Sequence, residues 1–134
     1  MRVLIDSSVL MEAERKNFDL EKWAGKDDLE IWICDAGISE FLAGEPIKDG
    51  SKRERFHKFW LHLSMLPSLP LTREVCERAG QLLFEARRNG KTVPLGDGLH
   101  GAVADLENLR VATTNIGHYR DLGIPAFNPL LALK

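Results

Sequence analysis

No hydrophobic run in the sequence approaches the length of a membrane-spanning helix. Cysteine is scarce: Cys34 and Cys76 are the only two in 134 residues. Two cysteines make no disulfide framework, and each lies in an apolar pattern where a free thiol is expected in the core. Positive charge is not in excess, since the formal net charge is -2. That argues against a generally basic nucleic-acid binder, though not against a local basic groove beside an acidic site. A glycine-rich turn after the first strand-like stretch is missing, which argues against a dinucleotide-binding module. The four histidines show no metal-site spacing; His57 and His62 are five apart and read as structural or exposed. Met1-Arg2 leads straight into a strand pattern, so no signal peptide is expected and the cytoplasm is the simplest location. Repeats, low-complexity segments and interdomain linkers are absent as well.

What is present is ordinary for a globular chain, with 44% hydrophobic and 28% charged residues. The length fits one domain over residues 1–134, large enough to bury a core. Val3-Leu4-Ile5 is an unbroken apolar run, the mark of a strand buried on both faces of a mostly parallel sheet. It ends on Asp6-Ser7-Ser8, with Ser7 or Ser8 expected to cap the helix that follows. Open α/β sheets bind ligands beyond the carboxyl ends of their strands, so Asp6 is expected on the floor of a cleft.

The rest of the chain alternates. A short helix is expected over Asp19 to Trp23, a second strand over Glu30 to Cys34, and a helix capped by Asp35 that stops at Gly44. Glu40 lies inside that helix. A loop over Glu45 to Gly50 precedes a helix opened by Ser51, with Phe56, Phe59, Trp60 and Leu63 at helical spacing. Pro67 and Pro70 bracket an extended piece, and Thr72 caps a helix whose stripe is Val75, Ala79, Leu82, Leu83 and Ala86. Gly90 to Gly96 reads as a polar connection, and Asp97 as the start of a helix through Leu99, Ala102, Val103 and Leu106. Leu109 to Thr113 is a late strand closed by Thr114 and Asn115; a helical turn or two, an edge strand over Ile124 to Phe127 and a closing turn over Pro129 to Leu133 follow. This order predicts an α/β fold, a three-layer α/β/α sandwich with a central, mostly parallel sheet.

Asp6, Glu40, Asp97 and Asn115 all fall near the carboxyl edge of such a sheet. Two carboxylates about 4 Å apart repel by about 4 kcal/mol at an effective dielectric of about 20. A hard divalent cation with oxygen ligands offsets that repulsion, and Mg²⁺ typically keeps several waters beside a few carboxylates. Bound in this way, such an ion activates water and neutralises charge on a phosphoryl transition state, which points to phosphodiester hydrolysis.

Four stretches in series carry a resemblance: Leu4-Ile5-Asp6-Ser7-Ser8, Ile38-Ser39-Glu40-Phe41-Leu42-Ala43-Gly44, Pro94-Leu95-Gly96-Asp97-Gly98-Leu99-His100-Gly101-Ala102, and Ala112-Thr113-Thr114-Asn115-Ile116-Gly117-His118-Tyr119. In order and spacing they resemble the motifs of PIN-domain ribonucleases, and within them the VapC-type toxins of bacterial toxin–antitoxin pairs. The resemblance implies a Mg²⁺- or Mn²⁺-dependent endoribonuclease acting on RNA, a homodimer, and inhibition by a cognate VapB-like antitoxin. It places Asp6, Glu40 and Asp97 on the family's metal-binding acids and Asn115 where many members carry a fourth acid. Thr113 and Ser7 match positions that orient the acids. Two departures stand out: Gly98 and Gly101 lower helix propensity, and Asn115 brings no charge to a second metal.

Other readings need features the chain lacks. A receiver-type phosphoacceptor wants an acidic pair after the first strand, and Asp-x-Asp phosphatases want an acid where Ser8 stands. The alternative that survives is a non-catalytic PIN-like binding scaffold. For phosphate contact Arg15, Lys16, Arg87, Arg88, Lys91 and Arg120 are the candidates.

Overall fold

The computed structural model describes residues 1–26, 28–48 and 50–131. Five strands are present among them: β1 (Arg2–Ile5), β2 (Glu30–Cys34), β3 (Ser68–Leu69), β4 (Arg110–Ala112) and β5 (Ala126–Phe127). Their order across the sheet is β3-β2-β1-β4-β5, with every neighbouring pair parallel. β1 is therefore central. Leu4 pairs with Trp32 on one side and Val111 on the other, and Val3, Leu4 and Ile5 are all fully buried.

Side chains alternate across a strand, and the core divides accordingly. Val3, Ile5, Ile33 and Ala112 join Val9, Leu10, Phe18, Trp23 and Phe56 on one face, under α1 (Ser7–Glu14), α2 (Leu20–Ala24) and α4 (Gly50–Leu63). Leu4, Cys34 and Val111 join Val75, Ala79, Leu82 and Val103 on the other, under α5 (Arg73–Arg88), α6 (Leu95–Glu107) and α7 (Ile116–Leu122). The expected three-layer α/β/α arrangement is what forms. Each large side chain removed from water contributes about 1.5–3 kcal/mol, so both faces of the sheet are strongly held.

The helix α3 (Asp35–Ala43) bridges the two clusters, with Ala36 in one and Phe41 in the other. Phe41 stacks on Phe56 of α4 at 4.5 Å between ring centroids and 7° between planes. That stack holds the turn of α3 that carries Glu40.

Helix starts differ from expectation where a neighbour supplies a better cap. Asp6, not Ser7 or Ser8, is the N-cap of α1, because its carboxylate accepts from the Ser8 and Val9 backbone amides. Asp35 is the first residue of α3 after the N-cap Cys34, and its Oδ1 accepts from Ser68 Oγ at 2.7 Å. The α4 helix opens at Gly50. For α6 the N-cap is Pro94, since the Gly98 amide reaches back to the Pro94 carbonyl at 3.1 Å, and Asp97 sits in the first turn. A carboxylate there is favoured by the helix dipole.

Thr72 caps α5 as expected, through Val75 N at 3.2 Å. Cys34 is buried, but Cys76 is exposed: it lies one position past Val75 and off the buried stripe of α5. Residues 132 and 133 of the expected closing turn lie outside the described residues. Among the described residues no helix is long and apolar enough to cross a membrane.

Candidate active site

Asp6 leaves β1 with its amide bonded to the Ala112 carbonyl at 3.1 Å, which locks the end of β1 to the end of β4. The residue is 2% exposed, and both carboxylate oxygens accept hydrogen bonds. Oδ1 accepts from Ser8 N at 3.1 Å and Ser8 Oγ at 2.5 Å, and Oδ2 accepts from the Tyr119 phenol at 3.2 Å. A buried charge without such partners would be strongly disfavoured. Burial pushes the Tyr119 pKa far up, and the charges of Asp6 and Asp97 add to it, so the phenol remains a donor.

Ser8 does further work at this junction. Its Oγ accepts from Thr114 N at 3.0 Å and lies 3.4 Å from Thr113 Oγ1, which in turn accepts from Asn115 N at 2.9 Å. Ser7 Oγ points the other way and donates to Glu40 Oε1 at 3.1 Å. The two adjacent hydroxyls thus orient two different acids. Sequence reading named Ser7 and Thr113 as residues that orient the acids, and Ser8 only as a candidate helix cap.

Glu40 is held between α1 and α6. A Cβ at Gly96 would run into Glu40 Oε2, so glycine is what lets the carboxylate lie where it does, and a larger residue would push its tip aside. His100, fully buried one turn on, donates from Nδ1 to the Gly96 carbonyl oxygen, 2.8 Å away, and stands 3.7 Å from Glu40 Oε1. Burial works to lower its pKa, yet contact with Cys34, the Gly96 carbonyl and the charge of Asp6 outweigh it and raise it to about 9. Its Nε2 has no hydrogen-bond partner among the described residues and faces Gly37, where a Cβ would come within 3.0 Å.

Asp97 is mostly buried, and its Oδ2 lies 2.5 Å from His118 Nδ1 on α7. Asn115 follows β4 at the same sheet edge, but it is exposed and makes no side-chain cap bond to α7. Neither His100 nor His118 was singled out by spacing. The available signal was their place in the third and fourth motifs, three residues after Asp97 and Asn115 respectively.

Asp6, Glu40 and Asp97 are thus tied to neighbouring side chains of the carboxyl edge, Ser7, Ser8, Tyr119 and His118, whereas the exposed Asn115 is held there through its backbone amide. Among the described residues, no three His, Cys, Asp or Glu side chains converge tightly enough to form a ready metal cage. The donor chemistry nevertheless fits a hard divalent cation that keeps several waters: carboxylate oxygens beside a helix start cleared of side chains by Gly96. Chemistry and not volume marks this site, since a cavity of about 550 Å³ elsewhere in the fold is lined by Phe18, Leu20, Phe59 and Leu63 and by none of these acids.

A family model described as the PIN domain matches residues 3–121, and so includes all four positions. The chain belongs to the PIN-domain family.

Among its relatives is the ribonuclease VapC10 of Mycobacterium tuberculosis, 29% identical over 119 residues that cover 87% of this chain and 85% of the relative. Toxin FitB of Neisseria gonorrhoeae is 26% identical over 136 residues, covering 95% and 97%. The crystal structure of FitAcB from Neisseria gonorrhoeae matches with a TM-score of 0.79 at 24% identity, covering 95% of this chain and 97% of the other. In this PIN domain the Gly98 and Gly101 departures have a packing cause. A Cβ at Gly98 would lie 2.6 Å from Leu83 Cδ1, and one at Gly101 3.0 Å from Leu122 Cδ1. Close approach of α6 to α5 and α7 outweighs helix propensity at both positions.

Proposed function

We propose that this PIN-domain protein is the toxin of a toxin–antitoxin pair and acts as a divalent-metal-dependent endoribonuclease. The observation that carries the reading is the linkage of three acids from distant segments: Ser7 to Glu40, Tyr119 to Asp6, and His118 to Asp97. The names of the relatives, a ribonuclease and a toxin, support it. A cognate VapB-like antitoxin and a homodimeric state belong to the same proposal.

Asp6, Glu40 and Asp97 would hold Mg²⁺ or Mn²⁺. When bound, the ion would supply activation of water and neutralisation of phosphoryl charge. The protein's own part is positioning. Ser8 and Tyr119 keep the Asp6 carboxylate fixed at the end of β1. Ser7 turns Glu40 toward the space above Gly96, and the His100–Gly96 contact steadies the α6 start that carries Asp97. Asn115, exposed at the end of β4, would offer a neutral amide oxygen to the same site.

RNA cleavage by the purified protein tests the reading, with Mn²⁺, with EDTA, and with Asp6→Asn. Cleavage is expected only in the metal-supplied parent. Asparagine still caps α1, so the variant is expected to fold, with a stability loss of about 1 kcal/mol from the weakened hydrogen bonds. Metal-independent or absent cleavage by the parent would favour the non-catalytic scaffold or a different chemistry. Mn²⁺ is also expected to raise the Tm of the parent more than that of Asp6→Asn, because a ligand of the folded state stabilises it.

A further inference from the structure

We infer that the cavity between α5 and the segment entering α6 is a subsite for single-stranded RNA, in which one base stacks on Phe84–Arg87 and the neighbouring phosphates lie against Arg87 and Lys91. The inference rests on the ribonuclease reading and names where the substrate strand leaves the acids.

The cavity is about 290 Å³ and is lined by Gly80, Leu83, Phe84, Arg87, Lys91 and Thr92. That is room for one ring system and not for a duplex. Phe84 is 45% exposed, unusual for an aromatic on a helix that buries its own apolar stripe elsewhere. The Arg87 guanidinium lies over the Phe84 ring, 5.6 Å from its centroid. Together they form a platform of the kind on which nucleobases stack, aromatic face and guanidinium plane alike. Arg88 pairs with Glu85 at 3.2 Å, whereas Arg87 and Lys91 enter no ion pair among the described residues. Their charge is thus left for a phosphate, and Thr92 adds a hydroxyl at the rim. At Gly80 a Cβ would meet nothing within 4 Å, so the floor of the cavity stays open.

Position ties this cavity to the acids. Leu83 forms its wall and also packs on Gly98, the residue after Asp97. The lining ends at Val93, four positions before Asp97, a span of at most about 14 Å. A strand bound here reaches the acids within a few nucleotides. A second copy of the chain is the competing occupant. A two-fold contact over this cavity would bring Arg87 and Lys91 of both copies to one face, with no acid among the lining residues to offset them. Charge therefore favours RNA.

The test uses the full chain carrying Asp6→Asn, which is expected to hold RNA without cutting it, and a short fluorescein-labelled single-stranded RNA read by anisotropy. Adding Phe84→Leu is expected to weaken binding about five- to a hundredfold, and Phe84→Trp to restore it, since stacking and not bulk is lost. Arg87→Gln is expected to reduce the slope of log K against log salt by about 0.7 for each phosphate contact removed. Affinities and slopes unchanged in all three variants would overturn the subsite and leave the ribonuclease reading standing. Absence of RNA binding in the Asp6→Asn parent would overturn both. Light scattering on the same samples separates the competing occupant: if Phe84→Leu loses RNA only as a dimer falls apart, the face is a contact between copies and the subsite is wrong.

Discussion

His118 Nδ1 stands 2.5 Å from Asp97 Oδ2, joining two residues 21 positions apart. A contact this short is charge-assisted, and it occupies an oxygen that a divalent ion would need. The imidazole is partly exposed, so it is free to swing away. A metal ion at Asp97 would have to compete with this hydrogen bond.

Removing that competitor has a measurable consequence. His118→Ala is expected to bind Mn²⁺ roughly three- to tenfold more tightly, the discounted worth of a hydrogen bond to a charged group at a partly exposed position. The metal-free variant is expected to be less stable than the parent. Isothermal titration of both proteins decides it; equal or weaker Mn²⁺ affinity in the variant would mean that His118 assists the ion instead of competing with it.

Gly96→Ala separates site geometry from stability. The added Cβ would fall 2.3 Å from Glu40 Oε2, so the carboxylate tip must move while the backbone stays. Alanine also favours the helix over glycine by about 1 kcal/mol. Cleavage is expected to fall at least tenfold while Tm holds or rises. Gly117→Ala, in helix α7 where a Cβ meets nothing within 4 Å, is the control: cleavage is expected to stay at the parent's rate while Tm likewise holds or rises. Full activity in Gly96→Ala would show that the position of Glu40 is not critical.

At Asn115 the side chain is exposed and uncommitted to the helix it precedes. Asn115→Asp adds an anionic oxygen at the sheet edge, and hard cations prefer such ligands. A second Mn²⁺ is expected to bind more tightly, and the metal-free variant to be less stable than the parent. Parallel Mn²⁺ titrations giving the same stoichiometry and affinity for both proteins would place residue 115 outside the metal's reach.

The buried His100 makes stability depend on pH. Its folded pKa of about 9 exceeds the ordinary 6.5 that it has when unfolded. The folded state therefore holds its proton more tightly, a stabilisation present in full below pH 6.5 and lost as pH rises through about 9. At about 1.36 kcal/mol per unit the loss is at most about 3 kcal/mol. Urea unfolding in EDTA is expected to show parent stability falling across that window more steeply than that of His100→Gln. Parallel pH profiles for the two would show that His100 does not carry the effect.

Sequence by itself determined the skeleton. A continuous apolar run such as Val3-Leu4-Ile5 has few structural readings, and the stripe on α5 states its own period. Residues that follow strands in a parallel sheet land on one edge by topology, which is why Asp6, Glu40 and Asn115 were expected together, and the motif series added Asp97 and pointed to the PIN family. Tertiary structure alone decided what each acid touches. Tyr119 reaches Asp6 across 113 positions and Ser8 meets Thr113 across 105, and no local pattern encodes such distances. The same holds for absences of side chain. Gly96 and Gly98 look like poor helix residues until Glu40 and Leu83 arrive beside them, because helix propensity is a property of neighbours along the chain and steric room a property of neighbours in space. Cys76 errs in the other direction: an apolar residue one position off the buried stripe reads as core, and only the rotation of α5 against the sheet turns it to solvent.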